Sequence, residues 1–202
     1  MLASTKPRIV RNPPKRQFTE ATYRKAKPFL LNESGGRCAY SLQHFERVGY
    51  RCMEVDHFNP TLRGPARNDY ANLLPATRHC NGAKSDLWPT AELRRVGARF
   101  LNPTKEQDYG VHIFEDAESH ELVGVTAAGR YHIRCCDLNA PHLVLERRDR
   151  AKLQRILNEY LVTSKAPLQL LDGKEICNAS AVLRAIAERM IPPIPAPLSE
   201  SS

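Results

Sequence analysis

Residues 50–60 read Tyr50-Arg51-Cys52-Met53-Glu54-Val55-Asp56-His57-Phe58-Asn59-Pro60, residues 72–75 read Asn72-Leu73-Leu74-Pro75, and residues 80–84 read Cys80-Asn81-Gly82-Ala83-Lys84. The first run is strand-like and ends in an Asp-His pair. A polar loop, Thr61–Asp69, follows it, and Arg78–Ser85 predicts a short helix. Consecutive side chains at a strand end diverge, so Asp56 can face one partner while His57 faces another. Imidazole accepts a proton from water near neutral pH. A carboxylate and an amide oxygen, here Asp56 and Asn81, suit Mg²⁺ or Mn²⁺, since Mg²⁺ keeps most of its waters and takes few protein ligands. Such a cation would polarise a phosphodiester and offset charge on the leaving oxygen.

Outward from this stretch, charge is the next signal. The chain has 202 residues and a net charge of +8. Residues 1–30 hold eight basic side chains (Lys6, Arg8, Arg11, Lys15, Arg16, Arg24, Lys25, Lys27) against one acid, Glu20. The rest of the chain is nearly balanced. A basic arm suits a polyanion, because neutralised phosphates release counterions, and it also suits an acidic protein partner. The arm carries Pro7, Pro13, Pro14 and Pro28, which predicts extended backbone before a short helix around Glu20–Lys27. No apolar run reaches the ~18 to 20 residues of a membrane span, and no apolar stretch follows the start. The expectation is a cytoplasmic protein that does not engage a membrane.

From Cys38 to Asp56 the pattern is short and strand-like, with a turn near Arg47–Gly49. Beyond Trp88-Pro89, strands are expected at Val111–Phe114, Leu122–Thr126 and Tyr131–Cys135, the last two joined by a turn at Ala128-Gly129. Helical spacing over His142–Leu161 predicts one helix, and Ile176, Val182, Leu183, Ile186 and Met190 mark another. The run Ile191-Pro192-Pro193-Ile194-Pro195-Ala196-Pro197 is expected to project as polyproline II or disorder. Six cysteines at irregular spacings, without an export signal, point to metal ligands or buried thiols rather than disulfides.

Taken together, Asp56-His57, Pro60, Asn72-Leu73 and Cys80-Asn81 with Lys84 resemble the HNH nucleases of the ββα-metal family over about fifty residues. The resemblance implies that His57 is the general base that activates water. It implies that Asp56 and Asn81 hold one divalent cation, Mg²⁺ or Mn²⁺, and that Asn72 braces the loop carrying His57. Lys84, Arg63, Arg67 and Arg78 become candidate nucleic-acid contacts. The implied products are a 5′-phosphate and a 3′-hydroxyl. Where the family has two Cys-x-x-Cys knuckles, this chain has Cys38-Ala39-Tyr40-Ser41 and Thr77-Arg78-His79-Cys80. Two of four thiolates are absent, so structural zinc is not expected. Cys38 and Cys80 are expected to pack together, with Cys52, His44 and His79 the conceivable substitutes.

A longer likeness adds an Asn-Pro near residue 102, a strand with His112-Ile113-Phe114, and Asp137-Leu138-Asn139 before an Arg-rich helix. Together these resemble PtuB-like HNH proteins, which serve prokaryotic Septu-type and related retron antiphage systems beside an ATPase. This implies docking surfaces on residues 96–190 and makes Arg147, Arg148 and Arg150 candidate partner or phosphate contacts. The expected fold is α+β: a ββα-metal core at residues 31–95 between a basic arm (1–30) and a C-terminal accessory region (96–190) of strands and two helices. A Pro-rich tail occupies 191–202. The expected function is a metal-dependent endonuclease in antiviral defence. The alternative is a catalytically silent nucleic-acid-binding or ATPase-docking module on the same frame.

Overall fold

The computed structural model describes residues 6–163 and 182–197. The chain is α+β. A 3₁₀ turn, Tyr23–Ala26, runs into α1 (Lys27–Glu33), and a single turn, α2 (Phe45–Val48), precedes β1 (Met53–His57). β2 (Leu73–Thr77) pairs antiparallel with β1, Met53 opposite Thr77 and His57 opposite Leu73. α3 (Arg78–Lys84) follows without a loop, because Thr77 ends the strand and caps the helix, its hydroxyl accepting from Cys80 N–H. Pro75 is tolerated in this two-stranded sheet because no third strand needs its missing N–H. Its carbonyl instead accepts from Ala39 N–H at 2.7 Å.

After α4 (Ala91–Arg95) comes a second antiparallel pair, β3 (Ile113–Glu115) with β4 (Leu122–Gly124), then α5 (Ala127–Cys135) and the long α6 (Pro141–Thr163). The main core joins both halves, with Tyr40, Met53 and Leu74 from the first meeting Leu101, Ile113, Leu138 and Leu143 from the second. A smaller cluster, Phe18, Ala26, Leu30, Val55, Tyr70 and Leu73, packs the arm and α1 against the outer side of β1–β2. No helix among the described residues is long and apolar enough to cross a membrane.

Several expectations are corrected. Tyr131–Cys135 is the end of α5, not a strand. Thr126 caps that helix by accepting from Gly129 N–H at 3.0 Å, and the supposed turn Ala128-Gly129 lies inside it. Gly129 is there for close approach rather than for a turn: a Cβ on it would sit 2.2 Å from the His112 carbonyl, and one on Gly124 would sit 2.3 Å from Arg130 N. The alternation Tyr131, Ile133, Cys135 therefore concealed a helix pressed onto a strand pair. Residues 38–42 form turns rather than a strand, with Leu42 in left-handed backbone (φ 65°), and α2 occupies the place expected for a turn. The helix expected near Glu20–Lys27 is shifted forward, with Pro28 in the first turn of α1, where its missing N–H costs nothing.

The described part of the basic arm is not a free extension. Ile9 is buried in the core, and its N–H reaches Pro103 O at 2.8 Å. The Pro-rich segment does not project either. Ile191 is fully buried, Pro195 O accepts from Glu115 N–H, and Pro192 O accepts from Arg150. Residues 182–189 are helical, while Ile176 lies outside the described residues.

The Arg-rich stretch of α6 is corrected as well. Arg147 is buried and donates to the carbonyls of His120 and Leu138 and to the side chain of Asn139. Arg150 pairs with buried Glu115. Only Arg148 of the three is exposed.

Candidate functional site

Strand pleating turns Glu54 and Asp56 toward α3, and the helix answers with Arg78, Asn81 and Lys84, three residues apart on one face. Arg78 Nε meets Glu54 Oε1 at 3.0 Å, and Asn81 Nδ2 donates to Glu54 Oε2 at 2.8 Å. Lys84 Nζ lies 3.1 and 3.0 Å from the two oxygens of Asp56 and 3.0 Å from the carbonyl of His57. The Tyr40 hydroxyl also donates to Asp56. Burial, and then the charge of Asp56, push the Tyr40 hydroxyl well up, so it stays a donor. Burial raises Glu54, but the hydrogen bonds from Asn81 and Arg78 outweigh it and hold the carboxyl below its ordinary value.

This arrangement corrects the expectation for Lys84. It is 0% exposed and cannot reach a phosphate; it is the internal counter-ion of Asp56. Arg78 is exposed but held on Glu54. Arg63 is exposed and turned back on its own loop, donating to the carbonyls of Pro60 and Leu62. Arg67 alone of the four basic candidates lines the cleft described next.

His57 is placed by the opposite pleat. Its ring lies 4.6 Å from that of Tyr23, and Nε2 is 2.9 Å from Asn68 Oδ1. Asn68 is oriented by its own amide, which donates to Glu20 at 3.1 Å, so its oxygen faces the imidazole. Nε2 therefore carries the ring hydrogen and Nδ1 holds the lone pair. The loop after His57 is tied by Asn72: Oδ1 accepts from Asn59 N–H at 2.9 Å, and Nδ2 donates to Arg67 O at 2.8 Å and Asn59 O at 3.3 Å. Asn72 thus binds both ends of the loop and touches it only through backbone.

A cleft of about 240 Å³ opens between the end of β1 and α3, with Asp56, His57, Asn81, Asp86, Arg67 and Tyr23 in its lining. The structure brings His57, Asp56 and Asn81 together on this cleft, with Asn72 tying the loop that follows His57. Sequence reasoning missed Tyr40, Asn68, Glu20, Tyr23 and Asp86. Asp86 had a local signal, lying two residues past Lys84; the others come from distant segments and had none. Among the described residues no three His, Cys, Asp or Glu side chains converge as a metal cage. The donor set fits a cation that keeps most of its waters: Asn81 Oδ1 is left over once Nδ2 is engaged, and Asp56 Oδ1, bonded to Lys84 alone, keeps a second lone pair, while Oδ2 is taken by Tyr40 and Lys84.

The four knuckle positions also meet. Cys38 Sγ accepts from the backbone N–H groups of Ser41 (3.4 Å) and Thr77 (3.3 Å), with the Thr77 hydroxyl at 3.8 Å. Burial raises Cys38, but donation from Cys80, Ser41 and Thr77 outweighs it and holds the thiol below its usual range. Cys80 is pushed well up, first by its hydrogen bond to Cys38 and then by burial. Two thiols and two hydroxyls are not a structural zinc set. Of the conceivable substitutes, His44 caps α2 and His79 lies against Asp137. No protein-family model, no curated protein and no solved structure matches the chain.

Proposed function

We propose that the chain is a divalent-metal-dependent nuclease of the HNH type that hydrolyses nucleic-acid phosphodiesters. The supporting observation is the convergence of His57 and Asp56 from β1 with Asn81 from α3 on one cleft. His57 takes the proton of the attacking water at Nδ1. Its Nε2–H is held by Asn68, and Asn68 by Glu20, so the positive imidazolium that forms is met by an oriented dipole and, beyond it, a carboxylate. Asn72 keeps the loop, and so His57 and Arg67, in register. Arg67 offers the cleft a positive charge for the phosphate. Asp56 and Asn81 would hold the cation. When bound, it polarises the phosphodiester and offsets charge on the leaving oxygen.

The test is cleavage of plasmid, single-stranded DNA and structured RNA with Mg²⁺ or Mn²⁺ against EDTA, for the wild type and Asn81→Ala. The expected result is cation-dependent cutting that leaves 5′-phosphates and is lost in the variant. Cutting that survives EDTA overturns the reading.

A second reading, a silent binding module on the same frame, is favoured by one observation: Lys84 already balances the charge of Asp56. It predicts nucleic-acid binding unaffected by Mn²⁺ and no cutting under any condition. On the longer resemblance we extend the first reading to a cytoplasmic antiphage effector beside an ATPase partner; co-purification of the two proteins tests that extension.

A further inference from the structure

We propose that Arg24, Lys27 and Arg51 form the wall that guides the phosphate backbone of a nucleic-acid strand into the cleft. A second cavity, of about 300 Å³, carries these three cations and shares Tyr23, Val55 and Asn81 with the cleft, so the two are continuous. The inference rests on the nuclease reading for its substrate, and adds the path by which that substrate enters.

The three cations come from two separate segments and converge. Arg24 and Lys27 lie on the turn leading into α1, and Arg51 on the 3₁₀ turn before β1. Lys27 is pre-positioned: its ammonium donates to Met53 O at 2.9 Å and Tyr50 O at 3.3 Å and sits 4.3 Å from the centre of the Tyr50 ring. An ammonium has three donors, so one remains for a ligand. The Arg24 guanidinium lies over the Tyr23 ring at 4.9 Å, and Tyr23 in turn flanks His57. The carboxylate lining this cavity, Glu54, has its two oxygens bonded to Asn81 and Arg78. Among the described residues neither Arg24 nor Arg51 forms an ion pair with a carboxylate. Three converging cations that lead to the proposed base, two of them without a carboxylate partner among the described residues, fit a chain of phosphates.

Binding in EDTA isolates this proposal from catalysis. The affinity of the full chain for a fluorescent single-stranded and a duplex oligonucleotide would be followed from low to high NaCl. Arg24→Glu/Arg51→Glu should weaken binding at least tenfold at about 0.1 M salt and flatten the log–log salt slope by about 1 to 2. The milder Arg24→Ala/Arg51→Ala pair should move both quantities in the same direction. Arg95→Glu/Arg134→Glu, two exposed residues outside the cavity, makes the same change in net charge and should cost much less. Equal losses in the two Glu pairs, or no loss in either groove pair, would overturn the proposal. So would binding of an acidic peptide in place of either oligonucleotide. If the groove variants lose binding while the wild type never cuts, the nuclease reading fails and the groove stands; if the wild type cuts and the groove variants bind normally, the groove alone fails.

Discussion

Among the described residues, the cations engaged inside the fold and those left along the groove are two groups that the sequence does not distinguish. Arg8 forks onto Asp108 with two 2.7 Å contacts, and Lys84 is closed over Asp56. Arg24 and Arg51 meet no carboxylate among the described residues. Arg8 and Arg24 both belong to the basic arm, yet one is a structural ion pair and the other is available to a polyanion. Net charge therefore overstates what the arm offers to nucleic acid.

That division sets an order of expected effects. Lys84→Met leaves Asp56 buried and unpaired, and should destabilise the fold by about 4 kcal/mol in chemical denaturation. A loss below about 1 kcal/mol would erase the distinction between the two populations. Asp108→Asn removes the partner of Arg8 and should cost about 3 kcal/mol near neutral pH. Its pH dependence has a definite sign. Burial raises the Asp108 carboxyl, but Arg8 outweighs burial and depresses it. The stability it contributes is thus complete above the unfolded value of about 3.9 and is lost as pH falls through that value toward the lower folded one. The gap between wild type and Asp108→Asn should close below about pH 4; a gap constant from pH 7 to 2 would contradict the assignment. Asn72→Ala strips three hydrogen bonds from the loop and should cost about 2 kcal/mol, together with most of any cleavage activity. An unchanged melting temperature would remove its bracing role. Smallest of all, Arg24→Ala/Arg51→Ala should leave stability within about 0.5 kcal/mol, its effect confined to binding.

What could be read in advance follows the range of the interactions. β1 and α3 were legible because their signals are local, a strand-like run ending in Asp56-His57 and a short helical stretch from Arg78, whereas β2 and its Thr77 cap had no reading of their own in the residues. That His57, Asp56 and Asn81 line one cleft is what the resemblance to the ββα-metal family implied. The fate of Lys84 was not legible, because the surface that buries it includes Phe100, and Tyr40 shares its carboxylate. The tautomer of His57 likewise depends on Asn68 and Glu20, eleven and thirty-seven residues away. α5 was misread because Gly129 lies in the first turn of the helix to admit the His112 carbonyl, a packing reason with no trace in local spacing. The tail was misread because a proline run says what backbone forms, while Ile191 and Ile194 decide where it goes.

The most direct measurement of the central claim compares cleavage by the wild type and His57→Ala at saturating Mn²⁺ under single-turnover conditions, both shown folded by circular dichroism. Removal of a general base should lower the rate by about 10² to 10⁴-fold while oligonucleotide affinity in EDTA stays the same. A His57→Ala protein that cuts at the wild-type rate would contradict the assignment of the cleft as the site of hydrolysis.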